Sequence, residues 1–240
     1  MQKANKVSLK VSGRMALFSD PITRVGGEKS TYQVPTYQAL KGILESCYWK
    51  PSFIWVIDRV RIMNQIKTQS KGIRPIKYGG GNYLSIYSYL TDVEYQVEAH
   101  FEWNENRPDL RADWNEDKHY FIAKRMIEKG GRRDVILGTR ECQAYVEPCV
   151  FGEGDGFYDD LSELSFGLMY HGITYPDENE NKEFIVRFWH PKMKKGIIEF
   201  CRPEDCPVKR VVKKYSPKKF IPGANFSGYE TILEELAKEG

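Results

Sequence analysis

With 240 residues, 41% hydrophobic and 29% charged, the chain is long enough to bury one large core or two small ones and too balanced to be disordered or fibrous. No window approaches a membrane span and the start, MQKANKVSLKV, holds no apolar run for a signal peptide, so a globular, soluble, cytoplasmic chain with no membrane partner is expected. Five cysteines is an odd number, and the pairs Cys142/Cys149 and Cys201/Cys206 have neither CxxC spacing nor partner histidines, which argues for reduced thiols and against zinc, metal catalysis or any cofactor.

The net charge of +3 conceals an asymmetry. Residues 1–150 carry 23 Lys/Arg against 17 Asp/Glu, residues 151–187 carry 2 against 9, and residues 188–240 carry 11 against 7. An acidic block between two basic ones suggests surfaces with different partners, although solvated faces account for any single charge run.

In chain order, VSLKVSGRMALF (7–18) alternates as a first strand. TYQALKGILESC (36–47) follows Pro35 with Leu40, Ile43, Leu44 and Cys47 at helical spacing. FIWVIDRVRIM (53–63) and the long aromatic run at 83–103 read as strands. A second helix over 116–129 has a capping-box-like start at Asp113 and Glu116 and a stop at Gly130-Gly131. RECQAYVEP (140–148) closes the series as a strand. The order β-α-β-β-α-β predicts an α+β protein whose residues 1–149 form a ferredoxin-like, RNA-recognition-type domain. Short strands in LSFGLMYHGITYP, EFIVRFWHP and GIIEF predict a smaller antiparallel β-sheet domain over 150–240, with a basic tail at 208–220.

In a split βαβ fold the helices lie antiparallel on one sheet face, so the end of the first helix meets the start of the second. Tyr48 then approaches Lys118 and His119. These groups suit RNA cleavage without metal, in which the 2′-hydroxyl needs a base and the leaving 5′-oxygen an acid. Lys118 would offset the charge of a pentavalent phosphate. Spacing alone also allows a core-edge role, because His119, Ile122, Ala123 and Met126 share one helix face and Tyr48 follows a helix as a packing aromatic. His100, His171 and His190 have no carboxylate or cysteine at metal-ligand spacing.

Three basic patches make nucleic acid the expected partner class. Lys67, Lys71, Arg74 and Lys77 lie in one connection without an acid, with Tyr78 and Tyr83 flanking three glycines for base stacking. Arg132, Arg133 and Arg140 form a second patch and 209–219 a third.

Beyond these readings, VSLKVSGRMALFSDP, ESCYWKPSFIWVIDRV, DKHYFIAKR, LGTRECQAYVEP and FGLMYHGITYP resemble the CRISPR-associated precursor-RNA-processing endoribonuclease of type I-C systems, a repeat-associated mysterious protein, over nearly the whole chain. The resemblance implies a ferredoxin-like domain followed by a β domain. It implies metal-independent cleavage at the 3′ base of the CRISPR repeat hairpin, with retention on the 5′ handle of the guide RNA in a surveillance complex with backbone and large subunits. It also carries the catalytic tyrosine, lysine and histidine onto Tyr48, Lys118 and His119. Two rivals stand beside it: a non-catalytic subunit capping the guide's 5′ handle, and a duplex-DNA-binding module.

Overall fold

The computed structural model describes residues 5–21, 23 and 27–214; residues 215–220 of the basic tail lie outside the described residues. It is a mixed α/β protein with two antiparallel sheets. Strand β1 (Val7–Ala16) leads to helix α1 (Tyr37–Cys47), then β2 (Phe53–Ile62), β3 (Thr68–Ile73), β4 (Ser85–Trp103), helix α2 (Glu116–Glu128), β5 (Val135–Ile136) and β6 (Gln143–Pro148). The later strands are β7 (Leu164–Ser165), β8 (Met169–Thr174), β9 (Glu183–Trp189), β10 (Lys192–Lys194), β11 (Ile197–Glu199) and β12 (Val208–Lys214).

The large sheet runs β5-β6-β1-β4-β2-β11-β10-β7, with β3 paired to β4. The second half of the chain is therefore divided: β7, β10 and β11 extend the large sheet along β2, while β8, β9 and β12 form a separate three-stranded sheet. The single run expected around residues 164–174 breaks into β7 and β8, one in each sheet.

Period-two alternation sends Val7, Leu9 and Val11 of β1 and Tyr95, Val97, Ala99 and Phe101 of β4 into one core. Leu40, Ile43, Leu44 and Cys47 of α1 bury onto them, and α2 adds Ala123 and Ile127. Each fully buried aliphatic side chain contributes about 1.5–3 kcal/mol relative to exposure. The opposite face of the sheet is polar, and the acidic segment covers part of it. The buried Arg61 guanidinium bonds Asp159 Oδ2 at 2.7 Å and the carbonyls of Gly154 at 2.8 Å and Glu153 at 3.2 Å. Gln96 also bonds the backbone of Glu153 and Gly152.

Helix α1 starts as expected, with Thr36 capping the Ala39 amide. Helix α2 does not. Pro108 opens a 3-10 helix, Pro108–Asp113, that absorbs Asp113, and the cap is Asn115, whose extended backbone lets its side chain accept from the Lys118 amide at 2.9 Å. No helix among the described residues is long and apolar enough to cross a membrane.

Candidate active site

The first turn of α2 lies against the end of α1, and two of the three expected catalytic residues meet there. The Tyr48 hydroxyl is 2.7 Å from His119 Nδ1, and His119 Nε2 is 2.8 Å from the backbone carbonyl of Asp113. A carbonyl oxygen only accepts, so Nε2 carries the hydrogen, and Nδ1 keeps the lone pair that accepts the Tyr48 O–H. His119 has no exposed surface and sits among Phe53, Phe101 and Trp103. Tyr48 is also buried and is held from behind by its backbone, whose carbonyl accepts from Trp55 Nε1 at 2.7 Å.

Lys118 bonds neither of them directly but the Asp113 carboxylate, which also accepts from Ser52 Oγ at 2.8 Å and lies 3.4 Å from His119 Nε2. Asp113 thus joins all parts of the site, and it is the residue sequence reasoning missed. In the sequence it reads as a helix cap, and the 3-10 helix before α2 instead places its carboxylate against Lys118, Ser52 and His119. Arg132 joins as well. Its amide and that of Arg133 both bond the Ser46 carbonyl at 3.2 Å, which keeps the chain after α2 beside the end of α1.

Burial pushes the Tyr48 phenol above its ordinary range; the Asp113 charge pushes the same way and the Arg132 guanidinium opposes. Tyr48 is therefore a protonated hydroxyl at neutral pH, one that can lose its proton only to a partner, and His119 Nδ1 is in place. The Lys118 hydrogen bond holds the Asp113 carboxyl below its usual range against burial, with Ser52 and the Lys118 charge acting in the same direction. A depressed folded value means that Asp113 stabilises the site above the ordinary carboxylate pKa of about 4 and loses that contribution as pH falls through the lower folded value. Fluorescence of the stacked Trp103–Trp114 pair, 5.5 Å apart beside this turn, reports it. The signal should hold from neutrality down to about pH 4 and change below, and Asp113→Asn should remove that acid step. An identical acid profile in Asp113→Asn would show that the carboxylate contributes nothing.

The expected RNA-binding cations divide into two groups. Arg132 and Arg133 lie at the site. Lys67, Lys71, Arg74 and Lys77 lie on or beside the β3–β4 hairpin, which pairs Thr68 with Leu90 and Ile73 with Ser85. That is the far end of β4 from Trp103. Arg140 belongs to the hairpin end, since the neighbouring Glu141 carboxylate accepts from the Tyr89 hydroxyl at 3.1 Å. None of these seven cations pairs with a carboxylate among the described residues. Gly80 and Gly81, both with positive φ, close the hairpin tip and leave Tyr78 and Tyr83 exposed. Of the third patch, Lys209, Arg210, Lys213 and Lys214 stand on the exposed strand β12.

Comparison with known proteins agrees with the residues that carry the resemblance. A family model described as CRISPR-associated protein (Cas_Cas5), and labelled Cas5d, matches residues 7–201. The CRISPR pre-crRNA endoribonuclease Cas5d of Mannheimia succiniciproducens is 28% identical over 225 residues, 82% of this chain and 95% of that protein. The protein of the same name from Thermus thermophilus is 27% identical over 215 residues, 81% of this chain and 90% of its own length. Among solved structures, a CRISPR-associated protein superposes with a TM-score of 0.74 at 36% identity, over 86% of this chain and 96% of that one. A functionally uncharacterized protein from Streptococcus mutans, SMU1763c, superposes at 0.72 with 38% identity, over 86% and 97%.

Proposed function

The chain belongs to the CRISPR-associated Cas5d family, and we propose that it is an endoribonuclease cutting CRISPR repeat RNA at the 3′ base of the repeat hairpin without a metal ion. The observation that carries this reading is the hydrogen-bonded series Tyr48 hydroxyl, His119 imidazole, Asp113. A packing aromatic and a core histidine have no need of a carboxylate that also holds a lysine.

In this reading the substrate's 2′-hydroxyl gives its proton to Tyr48 as the Tyr48 proton passes to His119 Nδ1. The Asp113 carbonyl and carboxylate stabilise the imidazolium that forms, the logic by which a carboxylate orients a catalytic histidine in hydrolases. The 2′-oxygen attacks the adjacent phosphorus, the P–O bond to the 5′-oxygen breaks, that oxygen takes a proton from water, and the product is a 2′,3′-cyclic phosphate. Lys118 is held by Asp113 in the free protein, and the phosphate replaces that carboxylate as its partner and has its added charge neutralised. Because His119 has no exposed surface, RNA meets the histidine only through Tyr48 or by opening the turn at 113–118.

The basic groups at the two ends of β4 support an elongated RNA path, with phosphates on Arg132 and Arg133 at one end and on Lys67, Lys71, Arg74, Lys77 and Arg140 at the other. Bases stack on Tyr78 and Tyr83. The antiparallel order β6-β1-β4-β2, with both helices packed on one core, supports a ferredoxin-like unit as the processing domain. After cleavage the protein stays on the 5′ handle of the guide RNA, within a type I-C surveillance complex with its backbone and large subunits.

The test is incubation of the purified protein with end-labelled repeat RNA in EDTA, beside an RNA carrying a 2′-deoxy substitution at the scissile nucleotide. One cut in EDTA, absent with the deoxy substrate and leaving a cyclic phosphate end, is the expected result. Binding without a cut would make the chain a capping subunit. Cutting of the deoxy substrate would exclude attack by the 2′-oxygen.

A further inference from the structure

At the opposite end of α1 from Tyr48, a second cluster of reactive groups lies under Tyr37, whose ring stacks on His171 at 4.3 Å. Cys201 follows β11 and Cys206 precedes β12. The 3-10 turn Pro203–Asp205 folds the two thiols to 3.6 Å. Strand β8 brings His171 to the same spot, so the partner histidine that spacing could not supply is present: one of its ring nitrogens and the two sulfurs lie within 4.8 Å of one another.

The proton positions follow from the partners. His171 Nε2 is 3.1 Å from the Cys201 carbonyl oxygen and so donates, while Nδ1 accepts from Arg187 Nε at 3.4 Å. Arg187 is buried and has no carboxylate partner among the described residues, and a buried guanidinium without an anion is costly. Its charge acts on the neighbouring Cys206 thiol. The hydrogen bond from Cys206 lowers the Cys201 thiol to about 5, helped by His171 and opposed by burial, while that same bond pushes Cys206 up. Cys201 is half-buried and reachable, whereas Cys206 is buried.

We propose that Cys201 and Cys206 form an oxidation site in which the Cys201 thiolate reacts with a hydroperoxide and Cys206 resolves the product to a disulfide. The Cys201 sulfur attacks one peroxide oxygen, the O–O bond breaks and hydroxide leaves, taking a proton from water. The resulting sulfenic acid is attacked by the Cys206 sulfur; the S–S bond forms, the S–O bond breaks, and the hydroxyl departs with the Cys206 proton as water. One thiolate, one thiol and one hydrogen peroxide give one disulfide, one water and one hydroxide, the sulfurs losing the two electrons the peroxide gains. The sulfurs must close from 3.6 Å to about 2 Å, a movement confined to the 201–206 turn. A divalent metal is disfavoured at the same place. His171 Nε2 already carries a hydrogen, and Nδ1 faces a guanidinium that would repel the ion.

The experiment treats the reduced full-length protein with hydrogen peroxide, blocks remaining thiols and maps the peptides by mass. A Cys201–Cys206 disulfide is expected in the wild type. A sulfenic acid at Cys201, trapped by dimedone, is expected in Cys206→Ser, and an unoxidised Cys206 in Cys201→Ser. A second readout needs no variant: at about pH 6.5 iodoacetamide should label Cys201 roughly tenfold or more faster than Cys149, whose thiol burial pushes up. Labelling of Cys201 that rises only above about pH 8 would overturn the proposal, and so would peroxide consumed first at Cys149. Stoichiometric zinc that must be chelated before these thiols react would replace it with a metal site.

Discussion

Replacing His119 by Ala should abolish repeat-RNA cleavage while leaving RNA binding largely intact. General acid–base groups contribute about 10²- to 10⁴-fold to such reactions, and in the proposed relay His119 accepts the proton of a phenol with a raised pKa. Binding should survive because the unpaired cations lie on Lys67, Lys71, Arg74, Lys77, Arg132, Arg133 and Arg140, outside the buried pocket. The variant also removes a fully buried ring, so a companion is required. Tyr48→Phe keeps the aromatic packing against Phe53 and deletes only the hydroxyl. If the two residues act as one relay, single-turnover cleavage should fall to a similar level in each single variant and scarcely further in the double. Full activity in His119→Ala, with a normal melting curve, would rule out the catalytic role.

A second large effect is structural. Gly138→Ala should cost about 3–5 kcal/mol, the combined scale of backbone strain and overpacking, and a total stability of about 5–15 kcal/mol would lose a large fraction of itself. Gly138 has φ +93°, and an added Cβ would fall 2.0 Å from the Leu17 carbonyl oxygen, which belongs to backbone and has no side-chain freedom to yield. Leu17 is pinned there because its amide bonds the Leu137 carbonyl at 2.9 Å. The substitution therefore pries the 137–142 turn, with Arg140 and Glu141, off the end of β1. Urea unfolding would measure it, and a midpoint within error of wild type would show that the turn relaxes without strain.

Much of the site could be read before any coordinates. The 3.6-residue spacing of Leu40, Ile43, Leu44 and Cys47 and the period-two runs of β1, β2 and β4 are local records of burial. Their order alone brings the end of α1 to the start of α2, and Tyr48 to His119. What local pattern does not record is which group a side chain finally faces. Asp113 reads as a cap until the 3-10 helix started by Pro108 takes it, and Asn115 caps instead. Nothing in the sequence relates the hairpin cations to the Tyr48–His119 cluster in space until β4 proves to be one 19-residue strand with the hairpin at one end and Trp103 at the other.

The later strands teach the same lesson. Short runs such as GIIEF announce β structure, yet a strand of three residues carries too little pattern to choose its partner. The choice between extending β2 and joining β9 is made by the edge that β2 leaves open and by what can cover the polar face of the sheet. His171 has no cysteine at ligand spacing in the chain, and it meets Cys201 and Cys206 only because β8 and the 201–206 turn pack on the same end of α1. The sequence by itself determined β1, α1, β2, β4, α2 and β6, their order and the pairing of Tyr48 with His119, because these depend on periodicity and connectivity; strand β3, in a stretch read as a connection, it did not. The tertiary structure alone decided Asp113, the separation of the basic surfaces and the thiol cluster, because those depend on contacts between segments whose spacing along the chain carries no signal.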